Sequence, residues 1–191
     1  ELSAKTESGR MHILGYGIDI YNEDLNKKMI NLQNNSVYSV LSLIHQLKKD
    51  YGITFTTNDI QNLFNANHNI GRPDLARLCV LKGYASTSQE AFNKYLIEAY
   101  KKTSPNNKGL EYEECIDLIL RAGGIPVLAH PKTLNKDYKE LLVLIKEMIK
   151  KGLEGIEVYH SSHSEEQVGE YLELADRFNL LISGGSDFHG E

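Results

Sequence analysis

The chain has 191 residues, 41% of them apolar and 25% charged, which suffices for one sizeable core and a small second unit. A net charge of −5 gives no electrostatic basis for a broad nucleic-acid surface, though a small basic pocket for one phosphate remains open. No apolar run approaches membrane-spanning length, and the opening residues carry no signal-like pattern.

Cys79 and Cys115 lie far apart, each within a helix-like apolar pattern. That spacing speaks against a zinc cluster or a disulfide scaffold and for buried, reduced thiols in a cytoplasmic protein. The sequence opens at Glu1 without a methionine and closes just after "GSDFHG", so it reads as a piece of something longer.

The first predicted strand is "MHILGYGIDI" (Met11–Ile20), with His12 interrupting its apolar run. From about residue 21 to 109 the pattern is helical. Val37, Val40, Leu41, Ile44 and Leu47 make an amphipathic helix, Ile60, Leu63 and Phe64 a short one, and Leu75, Leu78 and Cys79 a third. "STSQEAFNKYL" carries the serine/threonine-then-acid signature of a capped helix start. "KKTSPNNKG" (Lys101–Gly109) reads as an exit linker.

A regular alternation follows. One helix carries Tyr112, Cys115, Ile116, Ile119 and Leu120 on one face and stops at Ala122–Gly124, ahead of the strand "IPVLAHP" (Ile125–Pro131). A second presents Leu141, Leu144, Ile145, Met148 and Ile149 and stops near Gly152, ahead of "GIEVYH" (Gly155–His160). A third, with Val168, Tyr171, Leu172, Ala175 and Phe178, leads to "LLISGGSDFH". Four short apolar strands flanked by glycine and proline fit parallel, two-sided burial. The expectation is an α/β barrel or doubly wound sheet holding an all-helical insertion.

His12, His130, Asp187 and His189 lie on or at the ends of these strands. Functional groups of parallel α/β folds collect at the carboxyl ends of strands, and Asp187 and His189, two apart, would point to one side of an extended segment. His130 fits that placement; His12 comes early in its strand and fits less well. Imidazoles with a carboxylate suit zinc, manganese or iron. A strand-end histidine is more often a packed or hydrogen-bonded residue, and spacing alone does not bring His12 and His130 to Asp187, so both readings stay open. His45 and His68 in the insertion take solvated or packing roles. Ser161, Ser162 and Ser164 supply the cap of the helix that follows.

Four motifs in order, "HILGYGID", "IGRPDLAR", "AGGIPVLAHP" and "GSDFHG", resemble the polymerase and histidinol phosphatase (PHP) family over nearly the whole sequence. The nearest likeness is to its metal-dependent phosphoesterases of nucleotides or short RNA. The resemblance implies part of a distorted (β/α)7 TIM-like barrel, residues 1–20 and 110–191, with residues 21–109 as the helical insertion. It implies metal ligands at Glu1, His12, His130, Asp187 and His189, binding Mn²⁺, Zn²⁺ or Fe²⁺, two or three ions in the full-length protein. Glu1 would bridge two ions, and Asp187 would both ligate and orient the attacking water. The family also has a His–any–His pair, an aspartate and a further histidine ahead of that glutamate. None of these is in the sequence, which implies a fragment with about half the metal shell, inactive alone and, through an exposed sheet edge, prone to self-association.

The resemblance further places His163 near the mouth of the site as a substrate contact, with His160 beside it. Arg72 of "IGRPDLAR" is a candidate grip on substrate phosphate, since a guanidinium binds phosphate oxygens bidentately; the alternative is an ion pair with Asp74. Asp74 stands where the family often has histidine, which counts against phosphate handling at that position. Two rival functions remain: histidinol phosphatase, against which the long insertion argues, and a non-catalytic binding or regulatory module.

Overall fold

The computed structural model describes residues 1–6, 9–65, 70–103 and 109–188. The chain divides into two units, residues 1–26 with 108–191, and residues 27–107.

The first unit holds a five-stranded mixed sheet in the order β1 (Leu2–Ala4), β2 (Met11–Tyr16), β3 (Ile125–Leu128), β4 (Gly155–His160) and β5 (Leu181–Gly185). β3, β4 and β5 run parallel, joined by crossover helices α7 (Tyr138–Lys150) and α8 (Glu165–Phe178). β1–β2 and β2–β3 pair antiparallel, which corrects the expectation of an all-parallel set. The short return from β1 to β2 leaves no room for the crossover that parallel pairing needs. β2 also ends at Tyr16 rather than Ile20, because Gly17 turns the chain at a φ of +67°.

Helix α6 (Tyr112–Arg121) packs against the β1–β3 end of the sheet, with Cys115, Ile116, Leu118 and Ile119 buried. Leu118 thus joins the expected face, while Leu120 stays exposed. Leu141, Ile145 and Met148 of α7 are buried, and Tyr171, Leu174 and Ala175 of α8 bury where that helix covers β4 and β5. Each fully buried aliphatic side chain contributes roughly 1.5–3 kcal/mol.

In the second unit the described residues form helices only. α1 (Glu23–Tyr51), whose first four residues fall in the first unit, runs 29 residues, far beyond the expected Val37–Leu47. It starts early because Asn22 accepts from the Leu25 N–H at 2.9 Å and Glu23 and Asp24 complement the helix dipole. α2 (Thr57–Phe64), α3 (Arg72–Leu81), α4 (Ser88–Ala91), a π turn over Phe92–Leu96 and α5 (Ile97–Thr103) complete the unit. Val40, Leu43, Leu47, Ile53, Leu75, Cys79 and Leu96 form its core. Cys79 and Cys115 are both buried, and neither is in a disulfide. Among the described residues no helix is long and apolar enough to cross a membrane.

Candidate metal centre

The antiparallel pairing explains why a histidine so early in its strand belongs to the site. β2 begins beside the carboxyl end of β3, where the Ala129 N–H donates to the His12 carbonyl at 3.0 Å. His130 follows directly. On the other side of β2, Ser3 pairs opposite His12, and Glu1, two residues before Ser3, projects to the same face. Three side chains from three adjacent strands therefore meet.

Glu1 Oε1 touches His12 Nδ1 and lies 3.6 Å from His130 Nε2; the two imidazole nitrogens are 3.1 Å apart. One ligand atom from each of the three residues falls within 4.8 Å of the others. His130 is buried in a left-handed conformation, φ 24° and ψ 66°. Its backbone N–H donates to Glu157 Oε2 at 2.7 Å, and its Nδ1 lies 2.9 Å from Thr133 Oγ1. The Thr133 hydroxyl has carbonyl acceptors in Arg10 at 2.8 Å and in His130 itself at 3.0 Å. Its oxygen therefore accepts from His130 Nδ1–H, which leaves Nε2 facing Glu1 and His12 as a ligand atom.

Hydrogen bonds from His12 and then His130 hold the Glu1 carboxyl well below the ordinary carboxylate range. The Glu1 hydrogen bond pushes the His130 imidazole above its ordinary value, with the Asp187 charge adding to the effect. A carboxylate and two imidazoles converging in this way fit a divalent cation in place of the shared proton.

Among the described residues the cluster comprises Glu1, His12 and His130. Asp187 is exposed, at a φ of 52°, within electrostatic range of His130 but outside that cluster. His189 and His68 lie outside the described residues, as do residues 104–108 of the expected linker. A β-bulge takes Val158 out of the β4–β5 ladder, and its carbonyl accepts from His163 Nδ1–H at 2.8 Å. His163 Nε2 is buried without a hydrogen-bond partner among the described residues, and burial pulls this imidazole below its ordinary value. The His160 ring spans the gap, its centroid 5.6 Å from that of His130 and 5.2 Å from that of His163. Of the three serines, Ser164 caps α8, accepting the Gln167 N–H at 3.2 Å.

Arg72 belongs to the helical unit, where its guanidinium lies 4.2 Å over the Tyr100 ring. Together with Ser36, Ser39 and Gly71 it lines a small cavity. Asp74 accepts the Gly71 N–H at 2.7 Å and pairs with Arg77 at 2.5 Å. The sequence reading missed Glu157 and Thr133. A lone acid inside the apolar strand "GIEVYH" was the available signal, since a buried carboxylate needs a partner; nothing marked Thr133.

No protein-family model matches the chain. The 3′,5′-nucleoside bisphosphate phosphatase of Chromobacterium violaceum is 28% identical over 99% of this chain and 66% of its own length. The 5′-3′ exoribonuclease Rnm of Escherichia coli is 29% identical, again over 99% of this chain, and 64% of its own length. The chain thus spans about two thirds of these curated relatives. In three dimensions it is similar to a protein of Bifidobacterium adolescentis assigned as a metal-dependent phosphoesterase, with a TM-score of 0.74 and 28% identity over 98% of this chain and 66% of the other. It is also similar to an amidohydrolase of Chromobacterium violaceum solved with bound sulfate, with a TM-score of 0.77 and 26% identity over 98% and 65%.

In sequence and in its mixed α/β fold this chain is similar to phosphoesterases, metal-dependent ones among them. More particularly, it is similar to the nucleoside bisphosphate phosphatase and the exoribonuclease just described.

Proposed function

We propose that the protein hydrolyses phosphate esters of nucleotides or short RNA, with Glu1, His12 and His130 holding a divalent cation. The observation that carries this reading is the convergence of Glu1 Oε1, His12 Nδ1 and His130 Nε2, with Thr133 fixing the His130 tautomer. Asp187 and His189 complete the ligand set, and further ions, manganese, zinc or iron, bind in a (β/α)7 barrel of which this sheet is part. A bound cation supplies Lewis acidity, acidifying water and neutralising charge on the phosphate. Glu1 contributes the negative charge that anchors the cation, and Asp187 orients the attacking water. His163, with Nε2 free to accept a hydrogen bond, contacts substrate near His160.

Arg72 grips a substrate phosphate: stacking on Tyr100 holds its guanidinium plane, and Ser36 and Ser39 add hydroxyls beside it. Two buried thiols outside any disulfide support a cytoplasmic setting. The β5 edge, where Leu181 and Ile182 are half exposed, favours self-pairing of this chain.

The reading is tested on the full-length protein by phosphate release with added Mn²⁺ from a nucleoside bisphosphate, a short 5′-phosphorylated RNA and histidinol phosphate. Turnover of the first two, lost in His130→Ala and raised in KM by Arg72→Ala, is expected. Preference for histidinol phosphate, or activity indifferent to Mn²⁺ and to His130, refutes it.

A further inference from the structure

Glu157 is 4% exposed, in the middle of β4, and among the described residues its carboxylate forms no ion pair with a basic side chain. It accepts a hydrogen bond from a backbone group of a neighbouring segment, the N–H of His130, at 2.7 Å. That N–H belongs to a non-glycine residue at a φ of 24°, a conformation that surrounding contacts must maintain. A charged acceptor on a buried N–H is among the stronger hydrogen bonds a protein offers. The space for it is prepared on the next strand: a Cβ on Gly185 would lie 2.6 Å from Glu157 Oε1. The easy relief of that clash is for the Glu157 carboxylate to swing away, which breaks its bond to His130.

We infer that Glu157 is a positioning residue for the metal centre, locking the backbone of His130 so that Nε2 faces Glu1 and His12, and that Gly185 is small in order to leave Glu157 in place. The inference rests on the metal reading above and extends it to two residues outside the ligand set. Thr133 fixes the His130 ring from one side and Glu157 fixes its backbone from the other. A ligand held at both points loses little freedom when the cation arrives.

The test is titration of the protein with Co²⁺ and Mn²⁺, reading dissociation constants by calorimetry and the visible Co²⁺ spectrum as a report on the ligand set. Circular dichroism confirms that each variant is folded. Glu157→Ala and Gly185→Ala are expected to weaken binding about 10–100-fold and to alter the Co²⁺ spectrum. Glu157→Gln keeps a carbonyl acceptor for the His130 N–H and is expected to retain most of the affinity and the wild-type spectrum. If Glu157→Ala does not fold, Gly185→Ala and Glu157→Gln carry the same comparison. Wild-type binding that Glu157→Ala or Gly185→Ala leaves unchanged overturns this inference alone. So does a Glu157→Gln variant as weak as Gly185→Ala. Wild-type protein that takes up neither ion overturns the metal reading and this inference with it.

Discussion

The proposed metal binding by Glu1, His12 and His130 predicts a consequence for stability that needs no substrate. A ligand present at 100 times its dissociation constant stabilises the folded state by about 2.7 kcal/mol. Unfolding of 191 residues carries an entropy of about 0.4 kcal/mol per kelvin, so saturating Mn²⁺ is expected to raise Tm by about 7 °C. His130→Asn removes the nitrogen 3.1 Å from His12 Nδ1 and 3.6 Å from Glu1 Oε1. A hundredfold loss of affinity at the same Mn²⁺ concentration leaves about 0.4 kcal/mol, a shift of about 1 °C. The assay is scanning calorimetry of each protein with and without Mn²⁺, each compared with its own metal-free state. If the two units melt separately, the shift belongs to the transition of the unit that holds the sheet. An undiminished shift in His130→Asn would mean that the ion binds elsewhere, and the site as described would be wrong.

Two further outcomes follow from the helical unit. Burial pushes the Cys79 thiol up to about 11, so at pH 8 about one thiol in a thousand is ionised; Ellman's reagent is expected to label it only after unfolding, and rapid labelling of native protein would contradict its burial. A hydrogen bond from Lys82, then those from Thr56, lower the Asp59 carboxyl to about 2. Because this value is depressed, its stabilisation is present above about pH 4 and is lost as pH falls towards 2; acid titration of Asp59→Asn should show a smaller loss across that window, and an identical profile would refute the role.

The crossover part of the fold was legible because its signals are local. Apolar residues at helical spacing mark α6, α7 and α8, and glycines after two of those helices mark their ends. The long start of α1 was not, since residues 23–36 are mostly polar and only Leu25, Met29 and Leu32 mark an inner face; its cap at Asn22 and the absence of glycine and proline help to fix it. β1, three residues long, offers too short a pattern to read. Its pairing with β2 is a long-range choice, and strand direction leaves no mark on either sequence. For the same reason His12 looked misplaced, although antiparallel pairing sets the beginning of β2 beside the end of β3. The chemistry of the three residues was readable; their meeting depended on direction and register.

That meeting also limits what the cluster tolerates. Thr133 commits the Nδ1 hydrogen of His130, so two ring nitrogens and a carboxylate oxygen face one another across a few ångströms. With nothing positive between them their lone pairs repel. A proton relieves the repulsion, as the lowered Glu1 and raised His130 show, and so does a divalent cation. Proton and cation therefore compete for one position, and metal uptake must release a proton wherever His130 was charged. An arrangement that served packing alone would gain nothing from holding three basic atoms together. The cost of that convergence is recovered only when a positive charge sits among them.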